Sequence, residues 1–354
     1  MNENAVLERY DCWLASDGPV AVVVREPLEA VQGQEGVVFP PTFAPPAKGE
    51  VPSYVIDETT TGKTALLDTV GSQANRLEPM FKQPPCSELV PRALIRIGER
   101  EVNLLDAGHR AADAVVRFSS NSAALAAAFR DVAERGDATK LAKLAPTSLL
   151  FGVWDSRGTQ VKLPRLIGST VRAYCVEPLT RAAQFFSAFE KDETEELGYN
   201  QDFLSEQGFS DAPAGRGPGG VIARGGIRRE TVLNLVSLRA LSAGNGKDTP
   251  KLQRYIVGLA LAALTGPVNL YLREGCLLVA ASGQPRVQET VFRDGQRHPF
   301  ELEAQSALEY ARAAAAAFGV GEDWEATFDK QAVAAVADRS KAKAEGKGRK
   351  KAST

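Results

Sequence analysis

Histidine is almost missing: His109 and His298 are the two that occur in 354 residues. A metal cluster or a Ser/His/Asp relay would have to be assembled around one of them, and neither sits at ligand or triad spacing. Cysteine is sparse too. Cys12, Cys86, Cys175 and Cys276 lie far apart and form no CxxC or Cys/His pattern, which speaks against zinc and against a disulfide framework and predicts reduced, structural thiols. No metal and no cofactor is expected. Long apolar runs are also lacking. The most apolar helical stretch, residues 255–265, spans 11 residues, well short of the roughly 20 that a bilayer requires, so no membrane partner is expected. The opening MNENAVLERYDCW has neither a basic n-region nor an apolar core, so a cytoplasmic location is expected rather than secretion.

What is present is enough apolar residue, 44% of the chain, to bury one large core or two modest ones without staples. The formal net charge of −2 averages unlike parts. Residues 339–354 carry seven Lys/Arg against Glu345, and subtracting that +6 leaves the remainder at about −8. Within this acidic body, residues 213–254 hold Arg216, Arg224, Arg228, Arg229, Arg239, Lys247, Lys251 and Arg254 against Glu230 and Asp248. A local cationic stretch of this kind suits a polyanion.

Along the chain, β-type runs at 20–25, 37–39 and 53–57 alternate with Pro-rich connections. From Thr64 an apolar stripe of Leu66, Leu67, Val70, Ala74 and Leu77 predicts an amphipathic helix ended by Pro79. Residues 93–97 and 102–105 read as a hairpin, 122–135 as an alanine-rich helix stopped by Gly136, and 137–146 as a second short helix. Residues 178–190 read as helix, and 191–220 as an acidic, then Gly/Pro-rich inserted or projecting element. Residues 251–264 predict a buried helix, 268–272 and 276–281 a hairpin, and 301–318 and 323–337 two alanine-rich helices. The lysine-rich tail should be disordered. Strands interleaved irregularly with helices argue for an α+β domain with insertions over residues 1–338.

The sequence ETTTGKT ends like a phosphate-cradling loop but carries Asp57 where that loop needs glycine, so nucleotide binding at residues 62–64 has little support. His298 precedes Pro299 in a polar loop and should be solvated. His109, in DAGHRAAD, is a candidate general base by residue type. Residues 151–165, FGVWDSRGTQVKLPR, set Arg157, Lys162 and Arg165 around Gly158, Thr159 and Gln160 after an apolar run ending at Trp154. This can be a phosphate-gripping loop or a solvated turn with Asp155 paired to Arg157. In GGVIARGGIRRETVLNLVSLRAL, residues 219–241, Gly225 and Gly226 allow close backbone approach to a ligand while Arg224, Arg228 and Arg229 supply charge. The competing reading leaves these arginines simply facing water.

Three segments, DTVGSQANRLEPMF (68–81), TSLLFGVWDSRGTQVKLPR (147–165) and residues 219–241, together resemble the backbone subunit of the type I-G (formerly I-U) CRISPR effector, or Cascade, in the RAMP superfamily (Cas-seven group). The resemblance spans roughly residues 40–281. It implies a modified RRM-like, ferredoxin-like palm with inserted finger and thumb elements, with residues 191–220 as the candidate thumb. It implies copies stacked in a filament on CRISPR guide RNA, pairing of the guide with target DNA, and contacts with other Cascade subunits. Carried onto the matching motifs, it implies that Gln73, Asn75 and Arg76 touch RNA or support the groove, that Arg157, Lys162 and Arg165 bind phosphate, and that Arg224, Arg228 and Arg229 extend that path. The aromatic signature of ordinary RRM sheets is not evident, and the function expected is non-catalytic. The alternative is a RAMP endoribonuclease that processes guide precursors with His109 or Asp155.

Overall fold

The structure, a computed structural model, describes residues 3–44 and 53–338. The basic tail 339–354 lies outside the described residues. The central sheet is built from β1 (Ala21–Ala30), β2 (Ile56–Thr59), β3 (Gly62–Asp68), β4 (Ile167–Tyr174), β5 (Ile227–Asn234), β6 (Tyr271–Arg273), β7 (Cys276–Ala280), β8 (Val287–Val291) and β9 (Arg297–Pro299). Its order is β6-β7-β1-β5-β4-β3-β2, with β8 also paired to β1 and β9 to β8. Because β1 and β4 each run antiparallel to β5, which lies between them, they point the same way. That is a split βαβ arrangement within an α+β fold.

Alternation sets the two faces. Val22, Val24, Leu28 and Ala30 on β1, and Ile227, Arg229, Thr231 and Leu233 on β5, point to the buried side. There the helices α1 (Val70–Leu77), α2 (Ser122–Arg135), α3 (Thr249–Thr265) and α4 (Ala304–Phe318) contribute to the packing. α3 is buried almost all round, as its continuous apolar sequence dictates. Gly258 permits this crossing, since a Cβ there would sit 2.8 Å from the Cα of Ala311 on α4. Tyr255 stacks on Phe318 at 4.9 Å between ring centres and donates its hydroxyl to the Leu89 carbonyl. Each such large side chain removed from water contributes about 1.5–3 kcal/mol.

A second core lies toward the other end of the same strands, around Leu28, Ala65, Leu67, Val171, Ala173 and Ile227. Between the two cores the buried side is polar. Arg229 meets Glu26 and Arg286 there. One residue pair along, Thr231 donates to Ser169, Ser169 to Gln73, and Gln73 to Asp68.

Several expectations change in this frame. Residues 62–68 are a strand, because Ala65 and Leu67 alternate inward there; the helix begins only after Thr69, whose Oγ1 accepts from the Ser72 amide. That strand closes a hairpin in which Asp57 faces Thr64, so ETTTGKT is a β-turn rather than a phosphate loop. Residues 176–185 are a strand, not a helix, held by a long ladder to Ala212–Ala223. Between these arms come two short helices, Lys191–Glu196 and Gln201–Glu206. Residues 324–327 form a strand parallel to Ala93–Ile97, and helix starts only at residue 330. At 176–185 and 324–327, alanine or polar content suggests a helix that ladder pairing overrides, while most of the helix expected at 323–337 is present from residue 330. The helices expected at 122–135, 251–264 and 301–318 and the hairpins near 93–103 and 271–280 are present.

Candidate nucleic-acid interface

A two-residue strand, Val153–Trp154, pairs with Lys162–Leu163, so that Lys162 lies opposite Trp154 and Leu163 opposite Val153. Val153 is buried, and alternation therefore turns Trp154 outward, where it is 55% exposed with the Lys162 ammonium 5.4 Å from its ring centre. The connecting turn is organised by Asp155. Its buried carboxylate accepts from the Gly158 amide (3.0 Å), the Thr159 amide (2.6 Å) and the Thr159 hydroxyl (2.8 Å). Glycine is required at 158, where a Cβ would lie 2.5 Å from Asp155 Oδ2. Asp155 thus pairs with its own turn rather than with Arg157, and Arg157 is left exposed at the tip.

Arg165 follows, exposed, its backbone pressed against Gly152, which has φ +78. Its guanidinium reaches the first turn of α1, 4.0 Å from the position a Gly71 Cβ would take. Below it the Gly152 carbonyl accepts from buried Arg110, which donates to buried Glu78 at 2.7 Å. Burial pushes the Glu78 carboxyl up to about 7 against the pull of Arg110. This buried pair fixes the base of the loop. Among the described residues, no carboxylate lies within ion-pairing distance of Arg157, Lys162 or Arg165.

The second arginine group lies elsewhere. The turn carrying Arg224, Gly225 and Gly226 packs against Tyr174, since the Gly225 amide donates to the Tyr174 carbonyl. Arg165 precedes the opposite end of the same strand β4, about 30 Å away at roughly 3.3 Å per residue. Arg224 is clamped by Glu35 and Glu177, which hold its guanidinium more firmly protonated than usual. Arg228 stacks over Tyr174 at 4.5 Å and pairs with Glu230. Arg224, Arg228, Tyr174, Glu35 and Gly226, whose Cβ position is open, help line a cleft of about 370 Å³. Arg229 is 6% exposed on the other face of the sheet, paired to Glu26.

The α1 residues divide in the same way. Gln73 is fully buried in the polar row, and Arg76 joins Asp68 to the carbonyls of Tyr271 and Leu272. Asn75 is exposed. The structure therefore brings together Arg157, Lys162 and Arg165, sets Arg224 and Arg228 at the far end of the open sheet face, and puts Gln73, Arg76 and Arg229 into structural contacts.

Two residues of this surface escaped the sequence reading. Arg172 lies on the open face opposite Arg228, donates to Thr170 Oγ1 at 2.7 Å, and has no carboxylate partner among the described residues. The alternation of IGSTVRAY carried that signal. Trp154 is the other, and a two-residue strand is too short for periodicity to reveal it. As for candidate catalysts, His109 is largely exposed with Nδ1 3.4 Å from Asp113, and the Asp155 carboxylate is taken up by its turn. The described residues contain no cluster of metal-ligating side chains and no helix long and apolar enough to cross a membrane.

Residues 22–178 match the model of a protein family described as CRISPR-associated protein GSU0053. The match runs from β1 through β4 and includes the whole of the 153–165 loop. No curated protein matches the chain.

Proposed function

We propose that this chain is a non-catalytic backbone subunit of a type I CRISPR effector, a Cascade of the I-G kind, that grips guide RNA by its sugar-phosphate chain. The observation that carries the reading is the 153–165 loop: three cations without carboxylate partners beside an exposed tryptophan, on a turn locked by Asp155. This loop lies within the segment matched by a CRISPR-associated family. Protein contacts to phosphate position a strand without reading its sequence, which leaves the bases for target pairing.

The split βαβ order of β1, β5 and β4 supports an RRM-like, RAMP-type palm. From the loop, the RNA path continues over the open face by Thr170 and Arg172 toward Arg228 and the Arg224 cleft. The arms 176–185 and 212–223 with their two tip helices serve as the thumb, and copies of the chain, with other Cascade subunits, assemble along the guide. An endoribonuclease using His109 or Asp155 has less support, because Asp155 is committed to its turn.

The test is binding of purified protein to single-stranded RNA across 50–500 mM salt, followed by gel analysis of the RNA. Expected is a log–log slope of about −2 to −3 for three to four phosphate contacts at roughly −0.7 each, with the RNA intact. Absence of binding at 50 mM salt, or discrete products that disappear in His109→Ala, would overturn the reading.

A further inference from the structure

The loop holds more than charge. We infer that Trp154 is a stacking platform for one base of a single-stranded RNA, with Lys162, Arg157 and Arg165 holding the flanking phosphates. The inference rests on the reading of the chain as an RNA-binding subunit and adds a base contact to it.

Four observations carry it. Trp154 is the largest apolar side chain on this surface and is 55% exposed, whereas Trp13 is buried and Trp324 is half-buried with its indole N–H donated to the Leu144 carbonyl. Leaving an indole this exposed forgoes burial, so its position is dictated by the strand pairing that sends Val153 inward. The backbone that carries the ring is fixed, since it belongs to a ladder and the next residue, Asp155, ties down the turn through three hydrogen bonds. Lys162 lies over the ring, which strengthens that contact by cation–π attraction and leaves an ammonium beside any stacked base.

The surroundings decide which partner fits. A protein partner with an apolar anchor would suit the indole alone, but three neighbouring cations without carboxylate partners favour a polyanion that also carries flat apolar surfaces. Single-stranded nucleic acid has both, and aromatic platforms beside cationic grooves bind it with little regard to sequence because every base offers a π-face. Duplex RNA does not, since its bases are already stacked on each other. The platform therefore selects unpaired strands.

Wild type, Trp154→Phe and Trp154→Ala are compared, each checked for unchanged melting temperature, against oligouridylate and an abasic strand of equal length and phosphate count. Expected is tighter binding of the base-bearing strand by wild type. Trp154→Ala should lose about 5- to 150-fold on oligouridylate and little on the abasic strand, with Trp154→Phe close to wild type. If Trp154→Ala binds both strands as wild type does, the platform is refuted while the RNA-binding reading stands. An altered self-association with unchanged RNA affinity would assign the indole to a protein contact instead and equally refute it. Failure of wild type to bind either strand refutes the RNA-binding reading and takes the platform with it.

Discussion

The 153–165 loop and the 224–230 segment look alike as sequence, each with three cations near glycines, yet they end in opposite electrostatic states. In the first, the one acid, Asp155, is consumed by backbone amides, which frees Arg157 to meet solvent. In the second, every arginine has found a carboxylate, several from distant strands: Glu35 and Glu177 for Arg224, Glu230 for Arg228, Glu26 for Arg229. A count of charges along the chain measures neither potential nor availability. What matters is whether folding delivers an acid to the site.

The sharpest way to break this contrast is through stability. Glu26 is the carboxylate on which Arg229 and Arg286 converge, Arg229 buried and Arg286 partly so. Burial pushes Arg286 down from its usual value, Glu26 opposes that, and Arg229 adds to it. Glu26→Ala leaves two cations facing each other and should cost about 3–5 kcal/mol in denaturant unfolding. Arg157→Ala, with no partner to orphan, should stay within about 0.5 kcal/mol. Equal losses would mean the two groups are not different in kind.

Binding reads the contrast the other way. The double variant Arg157→Glu/Arg165→Glu should weaken single-stranded RNA affinity by about 100-fold at 100 mM salt and flatten the salt slope by at least ~1.4, the share of two phosphate contacts. Arg224→Ala/Arg228→Ala should change affinity by less than about 5-fold, because those cations already have counter-charges. Fluorescence anisotropy over a salt series measures both. A larger loss in the second variant than in the first would reverse the assignment of the primary grip.

How much of this was legible depends on the range of the forces involved. The buried helix Thr249–Thr265 was legible because its neighbours along the chain determine it: apolar residues on all sides and Gly266 at the end. The cationic character of Arg157, Lys162 and Arg165 was legible for the same reason, since their turn is local. Arg229 was not, because its partner Glu26 lies more than two hundred residues away and meets it through strand register. The burial of Gln73 is hidden in the sequence for a related reason. A polar residue on a short helix looks solvent-facing until Asp68 and Ser169 enclose it. The strand 176–185 looks helical in sequence because its pairing partner lies beyond the intervening tip.

The smallest effect is the most discriminating, because it asks whether a paired arginine can be released. On the open sheet face Glu230 lies 3.3 Å from Arg228 and 3.6 Å from Arg25, and accepts from the Tyr174 hydroxyl at 3.4 Å. Arg25 keeps a second partner, Glu289, at 2.7 Å, so the cation mainly released by Glu230→Gln is Arg228, which stays stacked on Tyr174. The glutamine keeps an acceptor for Tyr174, so the fold should lose less than about 1 kcal/mol, as expected for a half-exposed pair. RNA affinity should then rise about 2- to 5-fold at 50 mM salt, with the gain shrinking toward nothing at 500 mM as the new contact is screened. If affinity is unchanged at low salt, RNA does not cross the face between Arg172 and Arg228, and the grip ends at the loop.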